Sequence, residues 1–301
     1  MSNFAFNSPE FKQQDPRNVA TYPGGPQAGA QAASAQHAGL DVAANAQLEG
    51  MYAAPAAGAI ETDRMSVEDT VWKTVGLFGI LLVTAVISWV WTLGGSMQAV
   101  YGAPSTMVPT IVGALGGFVL ALAVIFTSRK KVRPALIFAY AAFEGLFIGG
   151  ISAFFETMYP GIVMQATLAT VAVVGVTLAL FASGKIRASK KMTKIFMIAM
   201  IGYLVFSVLN MVLMWTNVLP AEQAFGLRSA TIMGIPLGLI IGVLVVFMAA
   251  YSLVMDFDQI QQGVRNGAPR KFGWMGGFGI MVTVVWLYVE ILRMIAIVRS
   301  N

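Results

Sequence analysis

Seven long apolar stretches separated by short polar connections leave this chain few folds to choose from. They run over 74–94, 107–128, 134–155, 160–183, 195–217, 229–257 and 275–298. Each approaches or exceeds the roughly 20 residues that an α-helix needs to cross about 30 Å of hydrocarbon. Composition agrees. Charged residues make up 11% of the chain and hydrophobic residues 57%, whereas a soluble domain is about 25% charged. The sequence therefore predicts an all-α integral membrane protein with seven transmembrane helices, whose immediate partner is the lipid bilayer. There is no cysteine, which excludes a disulfide framework and a thiolate metal site. The net charge of +5 does not point to nucleic acid, because the basic residues sit in short loops between apolar segments.

Residues 1–65 are a different polymer. They are rich in Ala, Gly, Gln and Pro, as in Tyr-Pro-Gly-Gly-Pro-Gln-Ala-Gly-Ala-Gln (22–31). Such a stretch carries too few large apolar groups to offset the entropy of folding, so a disordered cytoplasmic tail is expected, with at most a transient helix over 40–48. The single histidine, His37, lies there. A pH sensor is one reading of it; a solvated tail residue is the favoured one, since nothing around it would fix a partner. Met1–Gln14 is polar and gives no cleavable signal peptide, so the first membrane helix is expected to direct insertion. The transmembrane domain is expected over 66–301.

Loop charge sets the expected orientation. Arg129, Lys130, Lys131 and Arg133 follow the second segment. Lys185, Arg187, Lys190, Lys191 and Lys194 follow the fourth, and Arg265, Arg270 and Lys271 the sixth. The three alternate loops hold only Arg228. The positive-inside rule puts the basic loops and the N-terminus in the cytoplasm and the C-terminus outside. Anionic-lipid or partner sites are a second reading of these runs; topology is the simpler one.

Smaller signals refine the helices. Ser66-Val-Glu-Asp69 resembles a capping box, and its acids suit the positive end of a helix dipole. Glycines recur at spacing four: Gly113/Gly117, Gly145/Gly149, Gly234/Gly238/Gly242 and Gly273/Gly277. Such stripes let helix backbones approach closely. Pro236, placed inside segment six, is expected to bend it, for packing rather than gating.

Few ionisable residues fall within the segments: Glu144, Asp256, Glu290 and Arg293, with Asp258 at a boundary. A carboxylate at that depth is expensive and marks a functional site by default. Asp256 lies near the cytoplasmic end of segment six, where it could simply meet water. Glu290 is flanked by apolar sequence on both sides, and Arg293 lies three residues on, where it could neutralise the glutamate as a structural ion pair. Should Asp256 and Glu290 meet, they would share a proton and titrate as a coupled pair. Protonated, the pair would hold two helices together. Ionised, it would repel and offer hard oxygen ligands to a cation such as calcium, bound transiently. That geometry requires segment six to continue as helix beyond Asp256 and the last helix to start near Gly276. Glu144 could line the same cavity or bond a group on a neighbouring helix.

Two motifs carry a family resemblance. Asp256-Phe-Asp-Gln-Ile260 resembles the Asp-x-x-Gln-Ile at the end of the sixth helix of the Bax inhibitor family (transmembrane Bax inhibitor motif, bacterial YccA-like branch). Leu287-Tyr-Val-Glu-Ile291 resembles that family's Leu-Tyr-Leu-Asp-Ile in the seventh, with Glu290 where an aspartate is usual. The resemblance covers roughly 66–300. It implies six helices around a central seventh, a bacterial inner-membrane location, and a pH-dependent calcium leak with Asp256 and Glu290 as pH sensor.

Two functions of different class follow. One is a pH-gated cation (calcium) leak channel, in which the two acids meet inside the bundle and Glu144, Arg293 and Asp258 support them. The other is a non-conducting regulator of a membrane protease or stress factor, in which the acids are structural. Catalysis is not expected: no cysteine, no metal-ligand set and no serine–histidine arrangement is present, and no cofactor is implied. A proton-coupled transporter is disfavoured, since no paired broken helices or clear internal repeat is visible.

Overall fold

The computed structural model describes residues 63–101, 105–128, 131–216, 218 and 225–300. The tail with His37, and Arg129 and Lys130 of the first basic loop, lie outside the described residues. Seven helices are long and apolar enough to cross a membrane. They are α1 (Val67–Thr92), α2 (Val108–Ser128), α3 (Pro134–Met158), α4 (Ile162–Ala182), α5 (Lys190–Trp215), α6 (Leu237–Arg265) and α7 (Gly273–Ser300).

Each start has a local cause. Ser66 Oγ accepts the Asp69 amide at 3.1 Å and opens α1. The Asp69 carboxylate does not complete the box; it pairs with Lys73 and, at 2.8 Å, with Arg270. Pro134 begins α3, where its missing N–H costs nothing. Gly161 (φ 83°) precedes α4, and the Glu156 carboxylate accepts the Gly161 and Val163 amides at 2.5 and 3.0 Å.

The sixth segment differs most from expectation. Residues 229–236 are not α-helical. A 3-10 turn (Gly226–Ser229) leads into a two-stranded hairpin, β1 (Thr231–Ile232) and β2 (Ile235–Pro236). Met233 and Gly234 both have positive φ at its tip, as a tight primed turn requires. Pro236 therefore sits just before α6 instead of bending it, and Gly234 belongs to a turn, not to a helix stripe. At the other end α6 does run past Asp256, to Arg265, and α7 starts at Gly273.

Helix α7 is the centre. Half of its apolar window is buried (50%), against 11% for α5. Helices α1, α3, α4 and α6 lie against α7, and α2 packs behind α1 and α3. The glycine stripes explain the closeness of α1, α2 and α3. A Cβ on Gly113 would collide with the Phe147 backbone, one on Gly145 with Thr84 and the Leu81 carbonyl, and one on Gly149 with the Ala85 backbone. Helix α5 stands apart: only Phe196 and Asn210 are buried on it.

Packing contacts include residues ahead of Ser66. Met65 is 1% exposed and belongs to the main core cluster. Its amide donates to Ala268 O at 2.7 Å, and the Arg270 amide donates to Asp63 O at 2.8 Å. Residues 63–65 thus pair with the α6–α7 connection.

Candidate functional site: a buried arginine–glutamate network and a separate aspartate

Glu290 and Asp256 are both 0% exposed. They come from α7 and α6, the most enclosed helices together with α3. Glu290 is surrounded by donors. Arg228 Nη1 lies 3.1 Å from its Oε1, and Arg293 Nη2 lies 2.8 Å from its Oε2. The Tyr203 hydroxyl donates to the same Oε2 at 2.8 Å. Arg228 also donates to the Tyr203 hydroxyl at 3.3 Å and to Ser207 Oγ at 3.2 Å. Its guanidinium carbon lies 5.4 and 5.5 Å from the ring centroids of Tyr203 and Phe206, within cation–π range. One carboxylate therefore joins α5, the segment ahead of α6, and α7.

Asp256 is held elsewhere. Its Oδ2 accepts the Thr283 hydroxyl at 2.8 Å, and Ser252 Oγ lies 3.4 Å from the same hydroxyl. Thr283 precedes Glu290 by seven residues on α7, about 10 Å of helix rise. The two carboxylates are thus anchored at two levels of one central helix. Arg293 does pair with Glu290, as the sequence spacing suggested.

The supporting acids are dispersed. Asp258 accepts from Gln262 at 2.7 Å on its own helix and borders a cavity at the basic end of the bundle with Lys190, Lys194 and Gln259. Gln259 Oε1 is buried without a hydrogen-bond partner. Glu144 is half-buried between α3 and α2, its Oε2 close to where a Gly117 Cβ would stand. It joins neither Asp256 nor Glu290 in a hydrogen bond or ion pair.

Sequence reasoning missed Arg228. Read as a loop residue, it is 3% exposed and central. The signal was its isolation: a lone arginine in loops otherwise free of basic residues is not there for topology. Tyr203 and Ser207, four residues apart on one face of α5, carried no signal.

Among the described residues no group of three or more His, Cys, Asp or Glu side chains is placed to hold a metal ion. Two guanidinium groups occupy the Glu290 oxygens that the expected shared calcium site with Asp256 would use.

A family model described as Bax inhibitor 1 like matches residues 5–300. The chain belongs to the Bax inhibitor 1 like family. The match starts well ahead of residue 66, so membership of the Bax inhibitor 1 like family takes in most of the tail as well as the bundle. No curated protein and no solved structure matches the chain.

Proposed function

We propose that this Bax inhibitor 1 like chain is a pH-sensitive cation leak, with calcium as its first candidate ion, closed in this conformation. The observation that carries the reading is the complete burial of Asp256 and Glu290 on two neighbouring helices of a membrane bundle. Carboxylates at such positions mark ion and proton pathways. The two acids take different roles. Asp256, the Thr283 hydroxyl and the unpartnered Gln259 carbonyl one turn on are hard oxygen groups of the kind calcium favours. Glu290 is the lock. Its carboxylate pairs with both Arg228 and Arg293 and ties α5 to α7. Without that charge, as in Glu290→Gln, two guanidinium groups would be left to repel each other and the lock would open. The pH sensitivity is what the family resemblance implies for the two acids. The reading involves no catalytic step and no cofactor. It places the basic loops and N-terminus in the cytoplasm and the protein in a bacterial inner membrane.

Calcium flux into liposomes holding the purified chain, from pH 8 to pH 6, tests this. Glu290→Gln should leak more and lose its pH dependence; Asp256→Asn should leak less. A folded protein with no flux above empty liposomes refutes the channel. One observation favours the second reading, a non-conducting regulator of a membrane protease or other stress partner: both oxygens of Glu290 are satisfied, as in a purely structural ion pair.

A further inference from the structure

The arginine–glutamate network has a second face. A cavity of about 640 Å3 lies beside it, lined by Ser207, Asn210, Met211 and Trp215 of α5, by Arg228, and by Arg293. Among the described residues, two guanidinium groups and one carboxylate meet here, leaving one positive charge over. Arg228 directs three hydrogen bonds inward, to Glu290, Tyr203 and Ser207. Arg293 gives one ion-pair contact to Glu290, and its side chain remains 25% exposed. A guanidinium has five N–H donors, so Arg293 keeps most of its capacity for the cavity. Asn210 is neutral, and its amide is taken up by the Phe225 carbonyl at 3.3 Å and the Leu227 amide at 2.7 Å.

An unbalanced cation at a membrane-embedded wall is costly. The walls name the counter-ion. Met211 is 60% exposed and Trp215 84% exposed, and both face outward from a helix in a lipid bilayer. Arg293 and Arg228 lie towards the end of the bundle opposite the basic loops, where a tryptophan marks the headgroup level. We propose that this cavity is a phosphate site for the headgroup of an anionic phospholipid, with Arg293 as the principal donor and the Met211–Trp215 face of α5 taking an acyl chain. A phosphodiester carries the single negative charge that would balance these described residues, and guanidinium matches phosphate oxygens two at a time. The proposal does not depend on whether the chain conducts.

The test uses the full chain in neutral detergent. Bound lipid is counted by native mass spectrometry, and the melting temperature is followed by scanning fluorimetry. Phosphatidylglycerol, phosphatidylcholine and inorganic phosphate are added in parallel at matched ionic strength. Phosphatidylglycerol should bind and raise Tm by about 5 °C at saturation, with phosphatidylcholine well behind. Arg293→Gln leaves a neutral Glu290–Arg228 pair, so the fold is kept; it should weaken phosphatidylglycerol binding about tenfold or more. Arg293→Lys, keeping charge without the planar fork, should fall between. Inorganic phosphate matching phosphatidylglycerol would support the phosphate site and overturn its lipid source. Equal binding of the two lipids, or undiminished phosphatidylglycerol binding by Arg293→Gln, overturns the proposal.

Discussion

Removing Glu290 and removing Arg228 should have unequal costs, and the inequality is set by what each leaves behind. Glu290→Gln strips the one carboxylate that, among the described residues, lies between two guanidinium groups, one of them 3% exposed. Breaking a buried pair this way costs about 3–5 kcal/mol. Arg228→Met leaves Glu290 with Arg293 at 2.8 Å and the Tyr203 hydroxyl at 2.8 Å. Its cost is that of one hydrogen-bonded charge contact, about 1.5–3 kcal/mol, partly offset because methionine fits an apolar wall. The double variant removes the uncompensated guanidinium that made Glu290→Gln severe. It should therefore be more stable than the sum of the single losses by about 2 kcal/mol, well outside the roughly 0.5 kcal/mol within which independent sites add. Equilibrium unfolding of all four proteins in one detergent measures the cycle. Additivity within about 0.5 kcal/mol, or a larger loss for Arg228→Met than for Glu290→Gln, would refute the view that Glu290 holds both arginines.

Two further outcomes follow from packing and from the second carboxylate. Gly149→Val should abolish the folded monodisperse species on size-exclusion chromatography, because its Cβ would stand against the Ala85 backbone, and backbone cannot move aside as a flexible side chain can. Thr283→Val removes the donor at 2.8 Å from Asp256 and should lower stability by about 1.5–3 kcal/mol, read as the shift in the unfolding midpoint; a shift below about 0.5 kcal/mol would show that Asp256 does not rely on this hydroxyl.

The parts of the molecule governed by local sequence were readable. Seven spans followed from length and apolarity, the α1 start from Ser66 and Asp69, and the close helix approaches from Gly113, Gly145 and Gly149. The central place of α7 was implied by the Leu287–Ile291 motif, not by periodicity, since a helix apolar all round does not reveal which face meets protein and which meets lipid. Failures came where a residue's partner was remote. Pro236 reads as a bend in an apolar run, but Met233-Gly234 makes the run turn first. Arg228 reads as a loop charge, and only tertiary structure brings it 62 residues along the chain to Glu290. Asp256 and Glu290 were correctly singled out as buried, yet sequence spacing could not show that they are fastened at different heights of α7.

The doubled backbone at 63–65 and 268–270 gives the molecule a load path. The incoming chain is hydrogen-bonded through Met65 to Ala268 and through Asp63 to the Arg270 amide, and Arg270 grips Asp69 at 2.8 Å. Tension arriving along the polypeptide from the N-terminal side therefore does not fall on α1 alone. It is shared with the short span that links the Asp256 helix to the Glu290 helix. The two carboxylate helices are in this sense on a tether, and whatever anchors, crowds or pulls on the preceding residues tugs at the hinge between them before it reaches the rest of the bundle.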